Sequence, residues 1–190
     1  MDEVLKRALA DARTYARAGF HALIVENFGD VPFRRGPLDP GTVAAMAVAA
    51  DAVKRETSLP VGVNALRNDA VSALGVAAAA GASFVRVNVH TGVYATDQGM
   101  IEGRADEALR YRRLLGARIA VLADVHVKHA VPVSEPDLAR AARETAYRGL
   151  ADGLIVTGPA TGEPVDPKHL DRVREAVPDR PVFVGSGATA

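Results

Sequence analysis

"LADVHVKHA", Leu122–Ala130, opens as an apolar run and then turns polar at every second residue. Asp124, His126 and Lys128 alternate with Ala123, Val125 and Val127, and His129 breaks the pattern. A run with a period of two reads as a strand buried on one face. An acid, an imidazole and an amine then share its other face, toward the C-terminal end. In parallel α/β proteins the C-terminal strand ends are where ligands bind. What flanks this strand therefore decides the fold.

Five more short apolar runs lie outward from it: "HALIVEN", "PVGVNAL", "SFVRVNVH", "DGLIVTG" and "RPVFVGSG". Helical patterns separate them. "DEVLKRALADARTYARAG" places Val4, Leu5, Ala8, Leu9, Ala12 and Tyr15 on one face, with Gly19 as a stop. "DPGTVAAMAVAADAVKRE" starts with Asp39 as N-cap and Pro40 in its first turn. Further helices are expected near 69–80, 104–115, 135–148 and 167–177. Ser134 with Asp137 resembles a capping box, and Asp166-Pro167 repeats the N-cap–proline signal.

Regular alternation of this kind means βαβ units with right-handed crossovers and a parallel sheet. A weak internal repeat supports this. "RAGFHALIVEN", "AAGASFVRVNV" and "YRGLADGLIVTG" share a helix end, a glycine and an apolar strand. "SLPVGVN" and "DRPVFVG" share another entry, and the two kinds take turns along the chain, as in a barrel assembled from (βα)₂ steps. Helix-to-strand links are short. Strand-to-helix links such as "NFGDVPFRRGPLD" and "TGVYATDQGMIEG" exceed the usual ~2–6 residues. The expected fold class is α/β, a TIM (βα)₈-type barrel in a single domain over 1–190, with its function on the long-loop face. Such barrels need eight strands and ~250 residues. Six strands are visible in 190 residues. The expectation is an incomplete barrel, its first strand and last strand–helix unit missing, either an inactive fragment or a unit completed by oligomerisation with identical chains.

Composition narrows the function. Lysine plus arginine equals aspartate plus glutamate at 23 each, so bulk electrostatics offer nothing to nucleic acid. There is no cysteine, hence no disulfide framework and no thiolate chemistry. No signal peptide and no transmembrane run is visible, and a cytoplasmic protein is expected.

Strand parity then selects the candidate site. Val85, Val87 and Val89 oppose Arg86, Asn88 and His90, and Val61 and Val63 oppose Gly62 and Asn64. Glu26 shares a face with Ile24, and Thr157 with Ile155. The valine faces suit helices, so the polar faces point inward and converge near the C-terminal rim. The candidate catalytic residues are His126, Lys128, Asp124 and Glu26. His126 titrates near neutrality and suits a general acid or base. Lys128 suits a base or Schiff-base nucleophile. Asn64, Arg86, Asn88 and Thr157 are candidate substrate contacts. In "VGSGAT", Val184–Thr189, Gly185 and Gly187 allow close backbone approach to an anion, and Ser186 and Thr189 add hydroxyls. No spacing is diagnostic of a metal, and the sequence names no cofactor. The histidines of "HVKH" would face opposite ways on an extended strand. The partner is a small phosphorylated metabolite such as a sugar phosphate, and the chemistry is that of an isomerase, epimerase or aldolase-type lyase.

Several strings together resemble the BtpA/SgcQ family: "IVENFGDVPF", "PVGVNALRNDA", "FVRVNVHTGVYATDQGMIEGRA", "LRYRRLLGA", "VLADVHVKHA", "GLADGLIVTGPATG" and "VFVGSG". They run from about Leu23 to Gly187. The resemblance implies a ribulose-phosphate-binding type of barrel, with one more strand before this sequence and a further strand and helix after it. It also implies an alternative function, since the family's founding member is a photosystem I biogenesis factor. No reaction is carried over by the resemblance.

Overall fold

Valine runs bounded by glycine and proline, set between alanine-rich helical stretches, give short parallel strands with helices packed on them. The computed structural model describes residues 1–133 and 137–187. In chain order the elements are α1 (Asp2–Arg17), β1 (Leu23–Glu26), α2 (Pro40–Thr57), β2 (Val61–Asn64), α3 (Ala70–Ala80) and β3 (Phe84–Val87). Next come β4 (Val93–Thr96), β5 (Gly99–Glu102), α4 (Ala105–Leu115), β6 (Ala120–Val125) and β7 (Ala130–Pro132). Then follow α5 (Leu138–Arg143), which runs on into a π-helical turn over Glu144–Arg148, β8 (Gly153–Val156), α6 (Pro167–Ala176) and β9 (Val182–Val184). The chain divides into two units. Unit 1 holds Met1–Arg86 and Ala108–Ile119, and unit 2 holds Val87–Glu107 and Ala120–Ala190.

In unit 1, β1, β2 and β3 are parallel neighbours, with Glu26 level with Asn64 and Gly62 level with Phe84. Val61, Val63 and Val85 are fully buried on the helix side, as their parity requires. α3 is apolar all round and buries Ala73, Leu74, Val76, Ala77 and Ala80. Asp69 caps it by accepting from Ser72 N at 3.0 Å. α2 starts at Asp39-Pro40 as expected, although Asp39 pairs with Arg34 instead of capping. The apolar stripe of α1 is only partly used: Ala12 is buried, while Val4 and Tyr15 are exposed. On the polar face, Gly62 leaves room for the Phe84 ring, since a Cβ there would lie 2.1 Å from it.

In unit 2, β6, β8 and β9 are parallel neighbours, with Asp124 level with Ile155 and Ile155 level with Phe183. Ala123, Val125, Leu154 and Val156 form a core with Leu138, Ala141 and Ala142 of α5 and Val173 of α6. Each buried valine contributes about 1.5–3 kcal/mol relative to exposure. α6 begins at Asp166-Pro167, with Asp166 accepting from Lys168 N at 2.9 Å. The helix expected over 135–148 begins at Leu138 with Asp137 as its N-cap, accepting from Ala139 N and Arg140 N. The capping-box reading is thereby corrected, because Asp137 is the cap itself. Ser134 and Thr189 lie outside the described residues.

Two expectations change. β6 ends at Val125, because His126 takes a positive φ of 52° and His129 one of 57°. His126–His129 is thus a bend and turn, not the continuation of a strand. The stretch "TGVYATDQGMIEG" is not an irregular loop. It is a hairpin: β4 and β5 pair antiparallel across Asp97-Gln98, and β7 adds to the other edge of β4.

Candidate functional site

The candidate residues divide between the units. In unit 1, Glu26 Oε1 accepts from Asn64 Nδ2 at 3.0 Å and lies 3.8 Å from Arg86 Nη1. Asn64 is buried. Beyond the strands, Asn27 grips the Leu66 peptide from both sides, accepting from its N–H at 2.7 Å and donating to its carbonyl at 3.2 Å. Asp69 also accepts from Leu38 N at 2.8 Å, so the loops after β1 and β2 are stitched together.

In unit 2 the C-terminal ends of the strands carry Asn88, Asp124, His126 and Thr157. Asn88 follows β3 directly and is 4% exposed; its Nδ2 donates to Asp124 Oδ2 at 3.1 Å. Asp124 is itself buried on β6. Thr157 follows β8 on the parity of Ile155 and is 9% exposed. Among the described residues, three buried atoms here have no hydrogen-bond partner: Asn88 Oδ1, His126 Nε2 and Thr157 Oγ1. Lys128 sits half-buried in the turn that follows His126. His90, also on the polar parity of its strand, is turned elsewhere: its Nε2 lies 2.7 Å from the Gly149 carbonyl.

A residue missed by the sequence reading completes the cluster. Tyr94 of the hairpin is buried, and its ring meets the His126 ring edge-on at 6.3 Å between centroids. Val89, Ile101 and Val127 pack around it, with Ala130 beside them. The signal was present, since "VYAT" and "GMIE" flank a two-residue link and Gly99 takes φ +95°. The base of the hairpin is fixed by Gly103 N donating to Gly92 O at 2.8 Å, and Thr91 Oγ1 meets Thr145 Oγ1 at 2.8 Å.

The turn after β6 and the loops after β8 and β9 form one connected rim. His129 Nε2 lies 3.0 Å from Thr161 Oγ1, and Ser186 Oγ accepts from Gly162 N at 2.9 Å. His126 and His129 thus engage different partners. Gly187, at φ +62°, presses on the Glu163–Pro164 backbone; a Cβ there would lie 2.3 Å from Glu163 O. Gly158 meets the same carbonyl at the same distance. Both glycines are therefore needed for loop-on-loop packing, whatever else they contact. Gly185 N donates to Val156 O at 2.9 Å and so extends the ladder between β8 and β9.

Electrostatics favour a neutral imidazole. Burial pushes the His126 pKa below its ordinary value; His169 and Arg172 push the same way, and Asp137 opposes them. Burial raises the Tyr94 phenol, a backbone hydrogen bond from His126 opposes that, and Asp124 adds to the rise. Among the described residues no group of three or more histidines and carboxylates gathers to hold a metal.

A neutral histidine whose Nε2 is buried without a partner among the described residues is suited to moving protons on a small polar molecule. The BtpA family model matches residues 1–190. The chain belongs to the BtpA family. The photosystem I biogenesis protein BtpA of Synechocystis is 51% identical over 97% of this chain and 64% of its own length. An uncharacterised relative from Pyrococcus furiosus is also 51% identical, over 98% of this chain and 70% of its own length. The chain thus spans about two-thirds of the length of these BtpA-family relatives.

Solved structures share the fold of this BtpA-family chain at low identity. 2,3-Dimethylmalate lyase matches with a TM-score of 0.60 at 17% identity, over 94% of this chain and 65% of that one. Thiamine phosphate pyrophosphorylase from Pyrococcus furiosus gives 0.57 at 15%, over 95% and 69%. Orotidine 5'-phosphate decarboxylase from Pyrococcus horikoshii gives 0.57 at 17%, over 98% and 75%. These likenesses establish a parallel α/β fold. No helix among the described residues is long and apolar enough to cross a membrane.

Proposed function

We propose that the strand-end cluster of unit 2 binds a small phosphorylated metabolite, such as a sugar phosphate, and moves a proton on it. The observation that carries this is the set of three buried atoms without partners, Asn88 Oδ1, His126 Nε2 and Thr157 Oγ1. Leaving a buried polar atom unpaired costs about 1–3 kcal/mol, and a ligand that satisfies all three recovers it. His126 is the base, available in its neutral form. Lys128 supplies the second proton or attacks a carbonyl, and Asp124 fixes Asn88. The Gly185 N–H is taken up by Val156 O, so the phosphate is held by the loop at Ser186 and Gly187 that follows it. The reaction class is isomerase, epimerase or aldolase-type lyase, which share an enolate-type species that gains or loses a proton on the carbon next to a carbonyl.

The fold is shared with enzymes whose names specify phosphorylated or carboxylated small molecules, which supports the class without choosing the substrate. The test is incubation with D-ribulose 5-phosphate in deuterated water, followed by proton NMR. Exchange of a carbon-bound proton next to the carbonyl, lost in His126→Gln, is expected. Absence of both binding at millimolar concentration and exchange would refute the proposal.

A second reading rests on the Synechocystis relative, that of a non-enzymatic assembly factor for photosystem I. Relatives from Pyrococcus furiosus and Thermococcus kodakarensis match this chain at 51% and 52%, as well as the Synechocystis protein does at 51%. Rescue of photosystem I assembly by His126→Gln as effectively as by the unaltered chain would favour this second reading.

A further inference from the structure

We propose that Asn88 and Thr157 form a subsite that reads a hydroxyl group of the ligand, so that the part of the ligand held there is a polyol or sugar carbon and not an anionic oxygen. The inference rests on the proposed ligand site and deepens it.

The argument starts from the Asn88 side chain. A carboxamide has one donor end and one acceptor end. Its nitrogen donates to Asp124 Oδ2 at 3.1 Å. A carboxylate only accepts, so the amide cannot be turned over without setting two acceptors face to face. Asp124 therefore fixes Oδ1 as the end left open. Asn88 is 4% exposed, and Oδ1 has no partner. Whatever fills that place must bring a hydrogen. A phosphate or carboxylate oxygen brings none, whereas a hydroxyl does.

Thr157 accommodates the same group, and the discrimination against an anionic oxygen comes from Asn88. Its hydroxyl is buried at the end of β8, next to β6 in the sheet of unit 2, and is likewise without a partner. A hydroxyl both donates and accepts, so it tolerates a second hydroxyl at any orientation. Tyr94 packs edge-on against His126 beyond them. These groups suit a chain of carbon-bound hydroxyls. The glycine-bearing loop after β9 is left for the anionic end.

The test compares two ligands on the same protein by titration calorimetry. D-Ribulose 5-phosphate carries hydroxyls, and phosphonoacetate carries comparable charge without them. Tighter binding of D-ribulose 5-phosphate by about tenfold or more is expected. That preference should vanish in Thr157→Val and in Asn88→Leu, while the affinity for phosphonoacetate stays within a few-fold. Thr157→Val removes only an unpaired hydroxyl and keeps the shape, so it serves even if Asn88→Leu does not fold. Equal affinity for the two ligands in the unaltered protein would overturn the hydroxyl subsite and leave the ligand site standing. A preference that persists in Thr157→Val would overturn it as well. Binding of neither ligand would remove the ligand site, and the subsite with it.

Discussion

Replacing Thr157 by valine should stabilise the ligand-free protein. The two side chains have nearly the same shape, so the change swaps one buried hydroxyl for a methyl. Thr157 is 9% exposed and its Oγ1 has no partner, so the folded state carries the hydroxyl's desolvation cost without any return. That cost is about 1–3 kcal/mol, and a gain of about 1–2 kcal/mol is expected once relaxation is allowed for. For a chain of this size, each 1 kcal/mol moves the melting temperature by about 2–4 °C. Thr145 supplies the control. It is also buried, at 3% exposure, but its hydroxyl meets Thr91 Oγ1 at 2.8 Å. Thr145→Val breaks that bond and should cost about 1–2 kcal/mol. The assay is urea unfolding followed by circular dichroism, run without ligand. Opposite signs at the two threonines are expected. A loss of stability in Thr157→Val comparable to that in Thr145→Val would show that Thr157 is a satisfied structural residue, and the reasoning would fail. Stability gained where function is lost is the usual signature of a binding site.

Three further outcomes follow from the same geometry. Gly103→Ala would place a Cβ 2.4 Å from Thr91 Cα and 2.5 Å from Thr91 N, both backbone atoms that cannot step aside. A cost of about 2–3 kcal/mol is expected, read by urea unfolding, whereas Gly41→Ala, with nothing within 4 Å, should be near neutral. His126 is held below its ordinary value of 6.5, so the unfolded chain binds more protons than the folded one between the two values. Stability should therefore fall as the pH drops below about 6.5 and stay flat above it, and His126→Gln should remove its part of that slope. Tyr94→Ala should cost about 3–5 kcal/mol and let the His126 pKa rise toward 6.5 in an NMR titration, while Tyr94→Phe, which keeps the ring, should leave it low.

Strand parity was legible because period-two burial is a local consequence of the pleat. Ala123 and Val125 go under the helices and Asp124 faces the other way, as the alternation required. Helix starts at Asp39 and Asp166 were legible because an N-cap residue followed by proline is a local signal. The end of β6 was not. His126 takes a positive φ where its ring meets Tyr94, and no periodicity records it. The role of the hairpin was hidden differently. Its turn signal was present, but its length suggested a loop, and β7 pairs with it from a distant part of the chain. His90 shows the limit of parity alone. It lies on the polar side of its strand yet serves Gly149.

The central claim is that the strand ends around His126 bind a ligand. The most direct measurement is the ¹⁵N NMR signal of the His126 imidazole, followed as D-ribulose 5-phosphate is added. A saturable shift of Nε2 is expected, with about tenfold weaker binding in Thr157→Val. A His126 signal that does not move while the phosphate group perturbs resonances elsewhere would contradict the account.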